Sequence, residues 1–206
     1  DNPGALRFAD RAVANAGTAD LRNQALVIRG EARAELGMNA LALEDLTTGL
    51  AHCTAADAEA LKTLARLHDA ANNPAASLAV LETLCNLAPA DISNWSNRGY
   101  ELNRLERYEE ALAALDKALL LDKDEPVVLS NKAFALLKLG RDAEAFTTVN
   151  RSLKADNLNP HALRTRALLY LRKGDRDKAC TDLGLAKAMG GAPEVDALVK
   201  QHCTGR

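Results

Sequence analysis

The chain has 206 residues, 48% of them apolar, enough to bury a sizeable core, whether compact or extended. Only 3% are aromatic, while alanine and leucine dominate, which suits closely packed helices better than a sheet. A formal net charge of -2 argues for neither a nucleic-acid binder nor a protein held on anionic membranes, and no apolar run approaches the ~20 residues that a membrane span needs.

Residues 1–22 hold PGALRFADRAVANAG, in which Ala5, Ala9 and Ala12 share one helical face. The segment reads as the second helix of a partial repeat, with more chain expected upstream of Asp1, or as a simple capping helix. Residues 23–56 make a full helix pair: Arg29-Gly30 sit on the first helix, Gly37 ends it in a left-handed cap, and Ala42, Leu46 and Gly49 line the second. Gly49 inside a helix costs roughly 0.5–1 kcal/mol relative to alanine, which predicts close packing against the next helix. Residues 57–91 diverge most. Leu61, Leu64 and Ala65 open them, Asn72-Asn73-Pro74 make the turn, Ser77, Leu81 and Leu84 line the second helix, and one extra residue near Asp57 is expected in the loop.

Residues 92–125 carry the plainest pattern. Trp95, Arg98-Gly99 and Leu102 share the inward face of a first helix, and Ala111, Leu115 and Ala118 mark a second. Residues 126–159 keep the phase through Ala133, Leu136, Gly140, Ala145 and Val149, and residues 160–191 through Leu163, Ala167, Tyr170, Gly174, Ala179, Leu183 and Ala186. Pro126 and Pro160, one repeat length apart, each fit the first turn of a helix, where a missing N–H does no harm. Gly190-Gly191 close the last pair, and 192–206 form one more amphipathic helix with Val195, Leu198 and Val199 on its apolar face.

The spacing of Trp95, Gly99, Leu102, Ala111, Leu115 and Ala118 resembles the tetratricopeptide repeat, whose pattern is W-x2-L-G-x2-Y…A-x3-F. In that family the unit recurs every ~34 residues, the same period that separates Pro126 from Pro160. Arg98 stands where the pattern has Leu, Leu102 where it has Tyr, and Leu115 where it has Phe. The resemblance implies one all-α domain over 1–206, a right-handed superhelical solenoid of helix-turn-helix repeats closed by a C-terminal capping helix. It also implies that the first helix of each repeat lines a concave groove.

Catalytic signatures are missing: the chain has no G-x-G-x-x-G, G-x-x-x-x-G-K-[ST], H-E-x-x-H, C-x-x-C or G-x-S-x-G. His52, His68, His161 and His202 are dispersed, and neighbours such as His52-Cys53 and His202-Cys203 point about 100° apart on a helix, so they cannot easily share a metal. The expectation is a protein that is not an enzyme and carries no cofactor or metal.

The other face of the first helices is more informative. Ser93, Ser96, Asn97, Tyr100, Asn103 and Arg104 form a second stripe, which the resemblance assigns to the concave surface. It recurs with the period of the repeat: Thr63, Asn97, Asn131 and Thr165 in one register, Arg66, Tyr100, Phe134 and Leu168 in another, and Arg104, Lys138 and Arg172 in a third. Carboxamides can hold both C=O and N–H of an extended peptide, cations fix carboxylates, and aromatics add contact area. Expected partner-binding residues are Lys62, Arg66, Asn97, Tyr100, Asn103, Arg104, Asn131, Phe134, Lys138, Arg164 and Arg172. Lys62 with Asn97 resembles half of the clamp with which some tetratricopeptide domains capture acidic chaperone tails, but Val127 and Asn131 stand where that clamp has Lys and Arg.

These features point to a scaffold that binds an extended peptide or partner segment in its groove, the ligand being acidic or presenting its C-terminus, with no nucleic acid and no membrane insertion. The alternative is a structural subunit packing through its open N-terminal repeat face. Cys180 lies on the second helix of the last repeat and Cys203 near the end of the cap, in a closing segment that resembles that of some bacterial tetratricopeptide proteins. Cys53 and Cys85 are expected late on the second helices of adjacent repeats. The four read as two bridges, tilting toward an oxidising compartment such as a periplasm, or as four small buried thiols in the cytoplasm.

Overall fold

The computed structural model describes residues 2–191 and 193–203, so residues 1, 192 and 204–206 of the expected terminal segments lie outside the described residues. Among the described residues there are twelve α-helices, one 3-10 turn and no strand. The helices are α1 (Asn2–Asn15), α2 (Ala19–Glu35), α3 (Asn39–Gly49), α4 (Ala58–Ala70), α5 (Pro74–Leu87) and α6 (Ile92–Arg104). They continue as α7 (Tyr108–Leu121), α8 (Pro126–Lys138), α9 (Asp142–Ala155), α10 (Pro160–Arg172), α11 (Arg176–Ala188) and α12 (Pro193–His202). Packing divides the chain into two compact units, Asp1–Asn94 and Trp95–Arg206, so the division falls in the first turn of α6.

In the first unit α2 packs on α1, α3 and α4, and α4 on α5. Leu46, Leu61, Leu64, Leu81 and Leu84 fill the core between them. A Cβ on Gly30 would lie 2.7 Å from Leu46 Cγ, so only glycine lets α3 approach this closely. Gly49 ends α3, and a Cβ there would lie 2.8 Å from the Asn23 carbonyl oxygen. The close approach is therefore to the preceding α2, not to the next helix as the spacing predicts. Arg29 fills a site where the family pattern has leucine, and the structure supplies the reason. The Asp45 carboxylate is buried and accepts from Arg29 Nε at 2.8 Å, Arg29 Nη2 at 2.7 Å and Arg33 Nη1 at 2.7 Å, while Arg29 Nη1 also reaches Asp10 of α1 at 3.2 Å. The residues around Asp57 form the 3-10 turn Ala55–Asp57, closed by a capping box with Thr54.

The second unit repeats this logic. Trp95 is buried, with the Lys117 ammonium 4.5 Å and the Arg98 guanidinium 5.9 Å from its ring centroid. Leu115 seats over Gly99, where a Cβ would fall 2.5 Å from its Cγ. Pro126 and Pro160 begin α8 and α10, capped by Glu125, which accepts from Val128 N at 2.6 Å, and by Asn159, which accepts from Ala162 N at 3.1 Å. Arg166 and buried Asp182 reproduce the Arg29–Asp45 pair, with N···O distances of 2.7 and 2.8 Å. The turn between paired helices takes a left-handed residue each time, at Gly37, Asn72, Glu106, Gly140 and Gly174.

Cys180 of α11 and Cys203, next after α12, form a disulfide with a Cα–Cα distance of 5.6 Å. The second expected bridge is not formed, and neither Cys53 nor Cys85 is part of a disulfide. The reason is local: α3 stops at Gly49, so Cys53 lies in the connecting segment rather than late on a helix, whereas Cys85 is buried within α5. No helix is long and apolar enough to cross a membrane among the described residues.

Candidate functional site

In the second unit a cleft of about 360 Å³ opens between α6, α8 and α10, closed at its ends by the α6–α7 turn and α12. Each first helix contributes residues three or four apart, which therefore share a face: Tyr100, Asn103 and Arg104 from α6, Asn131, Phe134 and Lys138 from α8, and Arg164 from α10. These seven are all among the residues that the sequence singles out. Joining them are Ser130, His161, Thr165, Glu106, Tyr108 and Glu194.

Aromatic rings and cations alternate around the cleft. The Arg104 guanidinium lies 5.7 Å from the Tyr100 ring and pairs with the buried Glu101 carboxylate at 2.9 Å. Lys138 Nζ and the Arg164 guanidinium lie 5.5 and 5.3 Å from the Phe134 centroid, and Tyr108 meets Phe134 edge-on at 6.5 Å. Arg164 Nη1 also faces the Glu194 carboxylate at 3.7 Å. Desolvation in the cleft, then the Arg164 charge, push the His161 imidazole below its ordinary value, and Glu194 opposes them. Burial, and then Glu106, push the Tyr108 phenol up.

Three buried polar groups of the cleft are unfinished. Asn103 Nδ2 donates to the Asn131 carbonyl oxygen at 3.0 Å, but Asn103 Oδ1 and the Ser130 hydroxyl have no hydrogen-bond partner among the described residues. Arg164 Nε is in the same position. A buried polar group left unpaired costs about 1–3 kcal/mol, so this wall is set up to gain from a ligand offering both a donor and acceptors.

The remaining expected residues lie elsewhere. Asn97 is exposed on α6, outside the cleft lining. Arg172, in the last turn of α10, donates to the Leu137 carbonyl oxygen at 2.8 Å and pairs with Asp142 at 2.6 Å, so it fastens α10 to the α8–α9 turn. In the first unit, Lys62 on α4 pairs with Asp91 at 2.9 Å and Glu59 at 3.0 Å, which raise its pKa, and Arg66 is exposed on the same helix. Also there, burial, then Glu35 and Glu59, hold the Glu31 carboxyl above its ordinary value.

Ser130 could have been found from the sequence, since it follows Ser96 by the same single repeat that separates Asn97 and Asn131. Glu194 had no such signal, because it belongs to the cap. Among the described residues no group of three or more His, Cys, Asp or Glu is placed to hold a metal.

Residues 102–169 match the family profile described as tetratricopeptide repeat. No curated protein matches the chain in sequence. Among solved structures, a MamA fragment from Desulfovibrio magneticus RS-1 aligns with a TM-score of 0.68 at 14% identity, over 82% of this chain and 94% of that one. TTC0263, a thermophilic TPR protein in Thermus thermophilus, aligns at 0.63 with 22% identity, over 88% and 97%. YrrB, described as a TPR protein with an unusual peptide-binding site, aligns at 0.66 with 17% identity, over 94% and 97%. At such identities the likeness shows the fold, an all-α superhelical array of helix-turn-helix repeats.

Proposed function

Because the chain is a tetratricopeptide-repeat protein, we propose that it is an interaction scaffold whose α6–α8–α10 cleft binds an extended segment of a protein partner, acidic in its side chains or ending in a free carboxylate. The observation that carries this reading is the pair of unpaired buried groups, Asn103 Oδ1 and the Ser130 hydroxyl, beside a cationic rim. A peptide N–H would donate to Asn103 Oδ1, while a peptide carbonyl would accept from Ser130 or from the Asn131 carboxamide. Lys138, which has no ion-pair partner among the described residues, and Arg164 would take the carboxylate. Tyr100 and Phe134 supply apolar contact area without large entropic cost. The peptide-binding site named for YrrB supports the reading by analogy of fold.

The test is calorimetric titration of acidic peptides into wild type and Asn131→Ala/Lys138→Ala. Each lost contact is worth about 1 kcal/mol, so the double variant should bind roughly 30-fold more weakly with unchanged helix content. Equal affinity, or binding indifferent to salt, would overturn the assignment. The Cys180–Cys203 bridge supports an oxidising compartment for the protein.

A second reading, a subunit assembled through its N-terminal repeats, is favoured by Phe8, Leu21 and Ile28, which are 76%, 55% and 57% exposed on α1 and α2. Leu21→Glu/Ile28→Glu should then lower the sedimenting mass while leaving peptide affinity intact. A mass already monomeric in wild type would exclude self-assembly through this face.

A further inference from the structure

We propose that Glu194 is a built-in competitor for the cleft, placed on Arg164 by the capping helix, and that the Cys180–Cys203 disulfide is the latch that keeps it there. The proposal rests on the reading of the cleft as a site for an acidic segment and adds its regulation. Glu194 offers the same group that such a ligand would bring, a carboxylate, to the same guanidinium. At 3.7 Å, with 67% of the Glu194 side chain exposed against 20% for Arg164, the contact is open to displacement from solvent. Arg164 Nε stays unpaired beside it, so Glu194 satisfies the arginine only in part.

What keeps Glu194 in place is the attachment of α12. A helix of 10 residues is marginal alone, so its position depends on its contacts with α11. At its first turn Val195 is buried, and its Cγ2 would lie 3.0 Å from a Cβ on Gly191. The Lys187–Asp196 pair at 2.8 Å is more than half exposed on both sides and so contributes little. At the far end the disulfide joins Cys203 to α11, and the His202 carbonyl accepts from Arg176 Nε. The covalent anchor thus sits at one end of α12 and the competing carboxylate at the other. Both cysteines are half-buried rather than enclosed, within reach of a small reductant.

Opening the latch is a balanced two-electron exchange. A dithiol reductant attacks one bridge sulfur as thiolate, its second thiol resolves the mixed disulfide, and the products are Cys180 and Cys203 thiols and the oxidised cyclic reductant. With the bridge open, α12 is held by Val195, an exposed ion pair and the exposed Arg176–His202 hydrogen bond. Tethered Glu194 then has a lower effective concentration at Arg164, and an incoming carboxylate meets less competition.

The experiment compares oxidised and dithiothreitol-reduced protein, wild type and Glu194→Gln, using a short synthetic peptide ending in two glutamates and a free carboxylate. Removing one exposed competing charge should tighten binding up to about 5-fold. Glu194→Gln should show this gain while oxidised, reduction should bring wild type toward it, and reduction should leave the variant unchanged. Equal gains on reduction in both proteins, or none in wild type, overturn the latch. A second readout needs no peptide. Arg164 and Glu194 are the charges that face His161, so its NMR titration midpoint should fall in Glu194→Gln and in reduced wild type, and a midpoint unmoved by reduction also overturns the proposal. If His161 responds as expected while no form binds the peptide, the latch stands and the acidic-segment reading fails. Circular dichroism on each sample separates these outcomes from unfolding.

Discussion

The Asp182 carboxylate lies against α10 with 5% of its side chain exposed and accepts two hydrogen bonds from Arg166, which is itself 24% exposed. Asp182→Ala leaves that guanidinium with Asn150 Oδ1, at 3.1 Å, as its remaining polar contact of those described. Removing one partner of a buried pair costs about 3–5 kcal/mol, because the other charge stays desolvated. Water reaches part of Arg166, so the low end applies, about 3 kcal/mol. For a chain of this size that corresponds to a fall in Tm of roughly 6–12 °C. Arg166→Met/Asp182→Leu removes both desolvation penalties and should lie within about 1 kcal/mol of wild type. Differential scanning calorimetry of wild type, Arg166→Met, Asp182→Leu and the double variant, the four members of a cycle, measures the coupling directly. If Asp182→Ala melts within a degree or two of wild type, or the double variant falls as far as the single one, the pair is not the strut described here.

Two further outcomes follow from local geometry. Glu106 holds φ at +59° where three of the other four turns have glycine, so Glu106→Gly should raise the urea midpoint by the equivalent of about 1 kcal/mol, the relief of left-handed strain, and a lowered midpoint would contradict this. Burial holds the His68 imidazole below its ordinary value, so the unfolded chain takes up the proton first. The stability it contributes is full above about pH 6.5 and is lost as pH falls through the folded value. His68→Gln should flatten that slope in urea melts, and an unaltered slope would place the titrating group elsewhere.

Period explains what could be read from the sequence and what could not. Tyr100 and Phe134, Arg104 and Lys138, and Pro126 and Pro160 each stand one repeat apart, so their shared faces follow from helical geometry alone. The Arg29–Asp45 and Arg166–Asp182 struts span two helices of one repeat, and an aspartate at helical spacing looks like solvated charge until its arginine is seen to be directed inward. Arg172 shares the phase of Arg104 and Lys138 but is drawn off by Asp142 and the Leu137 carbonyl, a contact that depends on the α8–α9 turn rather than on helical phase. Cys53 was misplaced because a helix end that comes a single turn early is invisible to periodicity. Glu194 sits in the cap, where the pattern has no next repeat to compare.

Trp95 is the one tryptophan of the chain, and all three tyrosines, Tyr100, Tyr108 and Tyr170, also follow it. Residues 1–94 contain neither chromophore. Intrinsic fluorescence is therefore blind to the first unit and monitors the second through an indole buried beneath the Lys117 ammonium, whereas far-ultraviolet circular dichroism counts helices in both. Melting curves recorded by the two methods on one sample act as a built-in labelling experiment: any transition seen in ellipticity and missed in emission belongs to residues 1–94, with no dye or engineered probe required.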